Sequence, residues 1–143
     1  HATEEETRHA AVVAQADGFI SEMENGYASP IAQGGTNVSG GQRQRLAVAR
    51  ALVRKAPVYL FDDTFSALDF KTESKLRAAL FEETKESAVI IVGQRVSSIM
   101  NADQILVLDD GCVVGLGTHK ELMDTCEVYR EIVESQLSQD EIA

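Results

Sequence analysis

No stretch of this chain approaches the roughly 18 consecutive apolar residues that a membrane-crossing helix needs. Its opening, Thr3-Glu4-Glu5-Glu6, lacks the basic-then-apolar order of a secretion signal, so any membrane connection is expected to run through a partner. Positive charge is scarce: 13 Lys and Arg stand against 23 Asp and Glu, a net charge of −10. General affinity for nucleic acid or anionic lipid is thereby disfavoured, while a local anion site is not. Cysteine is scarce too. Cys112 and Cys126 have no metal-ligand spacing and are too few for a disulfide framework, so they read as ordinary thiols of a reducing compartment, core or surface filler. His1, His9 and His119 form no ligand-like group, which leaves them solvated or capping roles, and there is no internal repeat. What is present, 143 residues of which 44% are hydrophobic and 25% charged, suits one soluble globular domain with a core.

Thr3 with Glu6 is a capping-box pattern, and alanines and valines from Ala10 to Ala16 carry a small-residue helix as far as Asp17-Gly18. A short helix from Phe19 to about Met23 should follow, ending at Asn25-Gly26. Ala28 to Thr36, with Pro30, Gly34 and Gly35, reads as a surface loop. From Ser39 to Lys55 the spacing of Leu46, Val48, Ala49, Leu52 and Val53 is helical, and Pro57 stops it. Val58-Tyr59-Leu60-Phe61, closed by Asp62-Asp63, and Ala88 to Val92 are continuous apolar runs expected to be strands buried on both faces. Between them Asp69 can cap a helix carrying Leu76 and Leu80, so a parallel pair with a helical crossover follows. A helical turn near Val96 to Met100 comes next. Gln104 to Leu108 and Val113 to Leu116 flank Asp109-Asp110-Gly111 as a hairpin, and Thr118 with Glu121 opens a helix followed by another from about Val128 to Leu137. A mainly helical segment, residues 1–56, thus precedes an α/β segment, residues 57–143.

Two places carry chemistry. At Val38-Ser39-Gly40-Gly41-Gln42 the long helix begins, where backbone N–H groups lack intrahelical partners and face the positive end of the dipole. Two glycines admit an oxyanion to that backbone, and Ser39 adds a hydroxyl. No acidic residue occurs between Asn25 and Phe61, whereas Arg43, Arg45, Arg50, Arg54 and Lys55 do. The segment reads either as an anion site or as a Ser-capped helix with a solvated basic face. The other is the strand ending in Asp62-Asp63, where a carboxylate at the C-terminal end of a parallel strand can hold Mg²⁺ beside nucleotide phosphates; the alternative is an apolar strand running into an Asp-rich turn.

The order of these segments, followed by Ser66-Ala67-Leu68-Asp69 and Gly93-Gln94-Arg95, closely resembles the nucleotide-binding domain of ABC transporters of the exporter branch. Val38 to Gln42 is similar to the signature LSGGQ with Val for Leu, Val58 to Asp62 to the Walker B strand, and Ser66 to Asp69 to the D-loop. Gly93 to Arg95 falls on the switch loop, and Gly117-Thr118-His119-Lys120-Glu121-Leu122 resembles the exporter C-terminal stretch. The loop Ser29 to Gly35 departs from the family's Thr-x-x-Gly-Glu-x-Gly pattern. The resemblance implies an α/β, P-loop NTPase-like (RecA-like) core, C-terminal part only, with an ABC-type helical subdomain at 1–56 and the core at 57–143. It implies ATP and Mg²⁺ as ligands, Asp62 at the metal, Ser39, Gly40, Gly41, Gln42 and Asp69 at nucleotide, and Asp63 and Gln94 in the catalytic places.

No Gly-x-x-x-x-Gly-Lys-Ser/Thr loop occurs; Gly115, Gly117, Thr118 and Lys120 have the wrong spacing and read as turn and cap. The family places that loop before the region where this chain begins, so the chain is expected to be the C-terminal portion of a cassette. It would be joined upstream to a transmembrane domain, at the cytoplasmic face of the membrane. Without the strand that joins the runs at 88–92 and 104–108, the piece is expected to self-associate, rearrange or be of low stability.

The family's catalytic glutamate and switch histidine are replaced by Asp63 and Gln94. Aspartate is one methylene shorter, and glutamine carries no positive charge. The pair resembles the degenerate subunit of heterodimeric exporters, whose partner is a second cassette, with a slow homodimer as the alternative. A chromosome-maintenance ATPase of the SMC type shares the motifs, but Thr3 to Gly26 has none of its flanking heptads; a non-catalytic regulatory cassette is the other rival.

Overall fold

The computed structural model describes residues 2–140, the side chains of 137–140 excepted; His1 lies outside the described residues. The chain divides into two compact units, the first running to Val92 and the second starting at Gly93.

The first unit opens with α1 (Glu4–Val13), held at its start by the capping box: Thr3 Oγ1 accepts from the Glu6 N–H, and the Glu6 carboxylate accepts from the Thr3 N–H. The helix stops short of the expected Asp17-Gly18, because Gln15 turns into the left-handed region at φ 57°. That reversal lets α2 (Asp17–Glu22) begin two residues earlier than Phe19. Single turns of 3₁₀ helix at Gly26–Ala28 and Gln33–Gly35 shape the loop that follows.

Next, α3 (Gly40–Leu52) ends before Lys55, which is itself left-handed at φ 46°. Strand β1 (Val58–Asp62) pairs in parallel with β2 (Ala88–Val92), and α4 (Phe70–Glu83) crosses between them, as the sequence pattern requires. Ala10, Ala11, Ala14 and Ala16 are buried, and their small side chains let α1 pack against Val48 and Leu52 of α3. Tyr59, Phe61 and Phe65 extend the same core from one face of β1, joined by Leu68, Leu76 and Leu80.

The expectation that both strands are buried on two faces is corrected. Residues alternate along β1, leaving Val58 and Leu60 exposed, and β2 exposes Val89, Ile90 and Val92. Among the described residues, this unit covers one face of the two-stranded sheet, so an apolar run that fits a covered strand lies half in solvent.

In the second unit, α5 (Val96–Ile99) precedes an antiparallel hairpin of β3 (Ile105–Asp109) and β4 (Cys112–Gly117). Asp110 and Gly111 are both left-handed, at φ 46° and 76°, the backbone that a two-residue turn matching the strand twist needs. Helices α6 (His119–Thr125) and α7 (Glu127–Asp140) follow, the latter starting one residue before Val128. The Thr118–Glu121 capping box is formed, so Gly117-Thr118 is strand end and helix cap. Leu122, Cys126, Tyr129 and Val133 pack with Ile105 and Val107, and a methyl group at Gly115 would meet Leu122 Cδ2 at 2.9 Å. Cys112 is exposed. His119 Nδ1 lies 2.8 Å from the Tyr129 hydroxyl, and His9 Nε2 lies 2.8 Å from a Glu83 oxygen.

Leu76 is fully buried and Leu60 is 65% exposed. In denaturant unfolding of this chain, Leu76→Ala should therefore cost about 3 kcal/mol and Leu60→Ala less than about 0.5 kcal/mol. The Glu6 carboxyl is lowered from 4.5 to about 2, first by the Thr3 N–H and then by Lys55, whose own pKa is raised. A lowered folded pKa stabilises fully above the unfolded value, and that contribution fades as pH falls from about 4.5 toward 2. Glu6→Gln should flatten the fall of the unfolding midpoint across that window.

Candidate functional site

Ser39 stands in extended backbone immediately before α3, and its Oγ accepts from the Gln42 N–H at 3.2 Å while Gln42 Oε1 accepts from the Ser39 N–H at 2.9 Å. The two residues thus form a reciprocal capping box, a structural role that the sequence analysis raised for Ser39 alone. This does not use up the hydroxyl. Oγ accepts one bond and keeps its own hydrogen for an outside acceptor. The N–H groups of Gly40 and Gly41 fall in the first turn, where the helix offers no carbonyl, and that turn contains no acidic residue.

Gly41 has a second reason to be there. A methyl group at Gly41 would meet the Ala67 carbonyl oxygen at 3.0 Å and Leu68 Cδ2 at 3.3 Å, and one at Gly40 would touch Ala67 Cβ at 3.5 Å. The start of α3 is therefore seated on the turn that follows β1. Gln44, one turn further along, completes the junction. Its Nε2 donates to the Asp63 carbonyl at 3.1 Å and to Ser66 Oγ at 3.0 Å, and its Oε1 accepts from the Ala67 N–H at 3.1 Å.

The basic character of the segment is in part structural. Arg45 donates to the Gln15 carbonyl at 2.7 Å and stacks 4.8 Å over the Phe19 ring. Arg43 donates to the Gly34 carbonyl, and Lys55 pairs with Glu6.

Asp63 is left-handed at φ 48°, with its N–H donated to the Val92 carbonyl of the neighbouring strand. Ser66 Oγ lies 3.1 Å from Asp63 Oδ2 and 3.2 Å from the Asp63 carbonyl; with one hydrogen to give, the hydroxyl serves one of them at a time. Asp62 is exposed at the C-terminal end of β1, and among the described residues no protein donor is hydrogen-bonded to its carboxylate. One carboxylate open at a strand end suits Mg²⁺, which keeps most of its shell as water and phosphate oxygens. Asp69 caps α4: Oδ1 accepts from the Thr72 N–H at 2.9 Å, and the Thr72 side chain first, then that N–H, lowers its pKa. Gln94 belongs to the second unit, where its carbonyl accepts from Gln136 Nε2 at 2.6 Å while Gln136 Oε1 accepts from the Val96 N–H at 2.8 Å. The structure brings Gly40 and Gly41 against Ala67, while Ser39 and Gln42 bond to each other.

Residues 2–66 match the ABC transporter family. The chain is 48% identical over 134 residues, 94% of its length, to an uncharacterized ABC transporter ATP-binding protein of Mycobacterium tuberculosis, and 46% identical over 128 residues, 90% of its length, to an ATP-dependent lipid A-core flippase of Vibrio vulnificus. Its fold superimposes on a bacterial Atm1-family ABC exporter with ATP bound at a TM-score of 0.92, with 34% identity over 96% of the chain. The chain is homologous to the ATP-binding domains of ABC exporters. It spans about a quarter of the length of these relatives: 23% of the mycobacterial protein, 22% of the flippase and 24% of the exporter chain. Its fold is the ABC-type, P-loop NTPase-like α/β fold.

Within this ABC-type segment, sequence reasoning found the residues of the helix start and strand end but missed Gln44 and Gln136. The one available signal was that Gln42 sits three residues after a Ser, the spacing of a capping box. Gln44 gives no such signal, because its three partners lie 19 to 23 residues away in sequence. The cap makes a direct prediction. Ser39→Ala should lower unfolding stability by about 1 kcal/mol, and Ser39→Asp, an equally good cap, should leave it within about 0.5 kcal/mol; denaturant titration of the three proteins checks this.

Proposed function

We propose that this chain is part of the ATP-binding cassette of an ABC exporter and couples ATP binding and hydrolysis to transport across a membrane. A single arrangement carries the reading. An acid-free helix N-terminus offers the Gly40 and Gly41 N–H groups and the remaining Ser39 hydrogen to an anion, and it rests on the turn that bears Asp63. In the proposed assembly two cassettes close head to tail around two ATP molecules. Ser39, Gly40, Gly41 and Gln42 of this chain complete the site whose P-loop lies on the partner. Asp62 faces Mg²⁺ and Asp63 occupies the base position, while Gln94, in the second unit, matches the family's switch position by sequence. Mg²⁺ supplies charge neutralisation at the phosphates when bound.

The chain's own residues do the rest. The helix start gives donors for charge that develops on the γ-phosphate, and the D-loop ends at Asp69, whose carboxylate caps α4. Asp63, shorter than glutamate and engaged with Ser66, is a weak general base, and Gln94 is a neutral hydrogen-bonding group. We therefore read the parent protein as one half of a heterodimeric exporter, with this chain's own site the slower one. Its transmembrane domain lies upstream and its cassette at the cytoplasmic face. Leu60, Ile90 and Val92, apolar and exposed, are covered in that parent by cassette residues outside this chain.

ATPase measurements on the full-length protein with its partner test this. Ser39→Ala should lower turnover roughly 30- to 150-fold, the equivalent of about 2 to 3 kcal/mol for a charge-assisted phosphate contact. Ser39→Asp should abolish turnover although it keeps the cap, since it sets a carboxylate against the γ-phosphate. Asp63→Asn should cost only a few-fold. If Asp63→Asn abolishes activity and Ser39→Ala leaves it intact, the two surfaces are assigned the wrong way round, and a homodimer using Asp63 as its working base replaces this reading.

A further inference from the structure

We propose that Gln44 is a positioning residue whose amide ties the nucleotide-facing start of α3 to the Asp63 turn, so that a phosphate bound at Ser39 to Gly41 and the carboxylate of Asp63 are held by one rigid junction. The inference rests on the nucleotide-site reading above and adds to it a residue outside the segment Ser39 to Gln42. Three observations carry it. First, the Gln44 side chain commits both polar atoms to this turn: two donated bonds, to the Asp63 carbonyl and Ser66 Oγ, and one accepted from the Ala67 N–H, all between 3.0 and 3.1 Å.

Secondly, Asp63 is a non-glycine residue in the left-handed region, a conformation that persists when the surroundings over-determine it. Its N–H is fixed by Val92 and its carbonyl accepts from Gln44 Nε2, so Gln44 supplies the tie that arrives from another helix. Thirdly, a methyl group at Gly41 would lie 3.0 Å from the Ala67 carbonyl oxygen, so the helix start and the turn approach closely and the amide joins surfaces that already adjoin. Movement of the helix start on engaging a phosphate is then passed to the Asp63 backbone. The carboxylate follows, because it shares the Ser66 hydroxyl that Gln44 also bonds.

The test uses the full-length protein with its partner and three variants. Gln44→Met keeps the length and removes every bond. Gln44→Glu keeps an acceptor for the Ala67 N–H and loses both donors. Ser39→Ala reports on the nucleotide reading itself. Hydrogen–deuterium exchange of peptides covering residues 63–69 should quicken about tenfold in Gln44→Met and nearly as much in Gln44→Glu, which also loses the Asp63 tie, with α4 and β2 unchanged. Steady-state ATPase of both Gln44 variants should show kcat lowered about fivefold, with KM for ATP within about twofold of wild type.

Wild-type exchange over 63–69 in Gln44→Met, or an equal rise across α4 and β2, overturns the proposal. So does a change in KM with kcat intact. Turnover that is insensitive to Ser39→Ala, with the exchange effect of Gln44→Met still present, overturns the nucleotide reading and leaves the junction standing.

Discussion

The start of α3 and the turn after β1 approach so closely that a single methyl group on Gly41 would press on the Ala67 carbonyl. That approach sets much of the first unit. It fixes where the helix that carries Ser39 begins relative to the strand that ends at Asp62, and it brings the Gln44 amide within reach of three partners on the turn. It also accounts for glycine at position 41, in a helix whose interior would disfavour it by about 1 kcal/mol relative to alanine. The cost is met by contact with a neighbour as well as by access for an anion, and Ser39 and Gln42 offset part of it by capping one another.

Electrostatics follows the same economy of position. In an acidic chain, the segment from Asn25 to Phe61 holds no carboxylate, so none lies in the first turn of α3 at the positive end of its dipole. The cations there are spent largely on the scaffold: Arg45 secures the left-handed Gln15 and stacks on Phe19, and Lys55 ties the end of α3 to α1 through Glu6. The helix start is left to act through backbone N–H groups and a hydroxyl, groups that need no counter-charge and are already oriented.

Much of this was legible in the sequence where the governing interaction is local. Capping boxes at Thr3 and Thr118, the Asp69 cap, the Asp110-Gly111 turn and the crossover between β1 and β2 depend on residues a few positions apart, and each is present. Helix ends were less legible. Left-handed Gln15 and Lys55 have no glycine or asparagine to mark them, and tertiary bonds such as Arg45 to the Gln15 carbonyl hold the first in place. The strands misled in an instructive way. An apolar run such as Val58 to Phe61 records how many faces a strand is built to cover, and among the described residues only one face of this sheet is covered. At the candidate site, the residue types and order at Ser39 to Gln42 and at Asp62 to Asp63 were readable. Gln44 was not, because its meaning depends on a fold that brings residues 44 and 67 together.

The central claim is that the helix start at Ser39 meets the terminal phosphate of a nucleotide held by another cassette. An electron cryo-microscopy structure of the full-length protein with its partner, Mg²⁺ and a non-hydrolysable ATP analogue tests it most directly. A γ-phosphate oxygen is expected at about 3 Å from Ser39 Oγ and from the Gly41 N–H, with the remaining phosphates wrapped by the partner's backbone. A closed, nucleotide-loaded assembly in which no phosphate approaches Ser39, or in which that nucleotide is wrapped by the same polypeptide that carries Ser39, would contradict it.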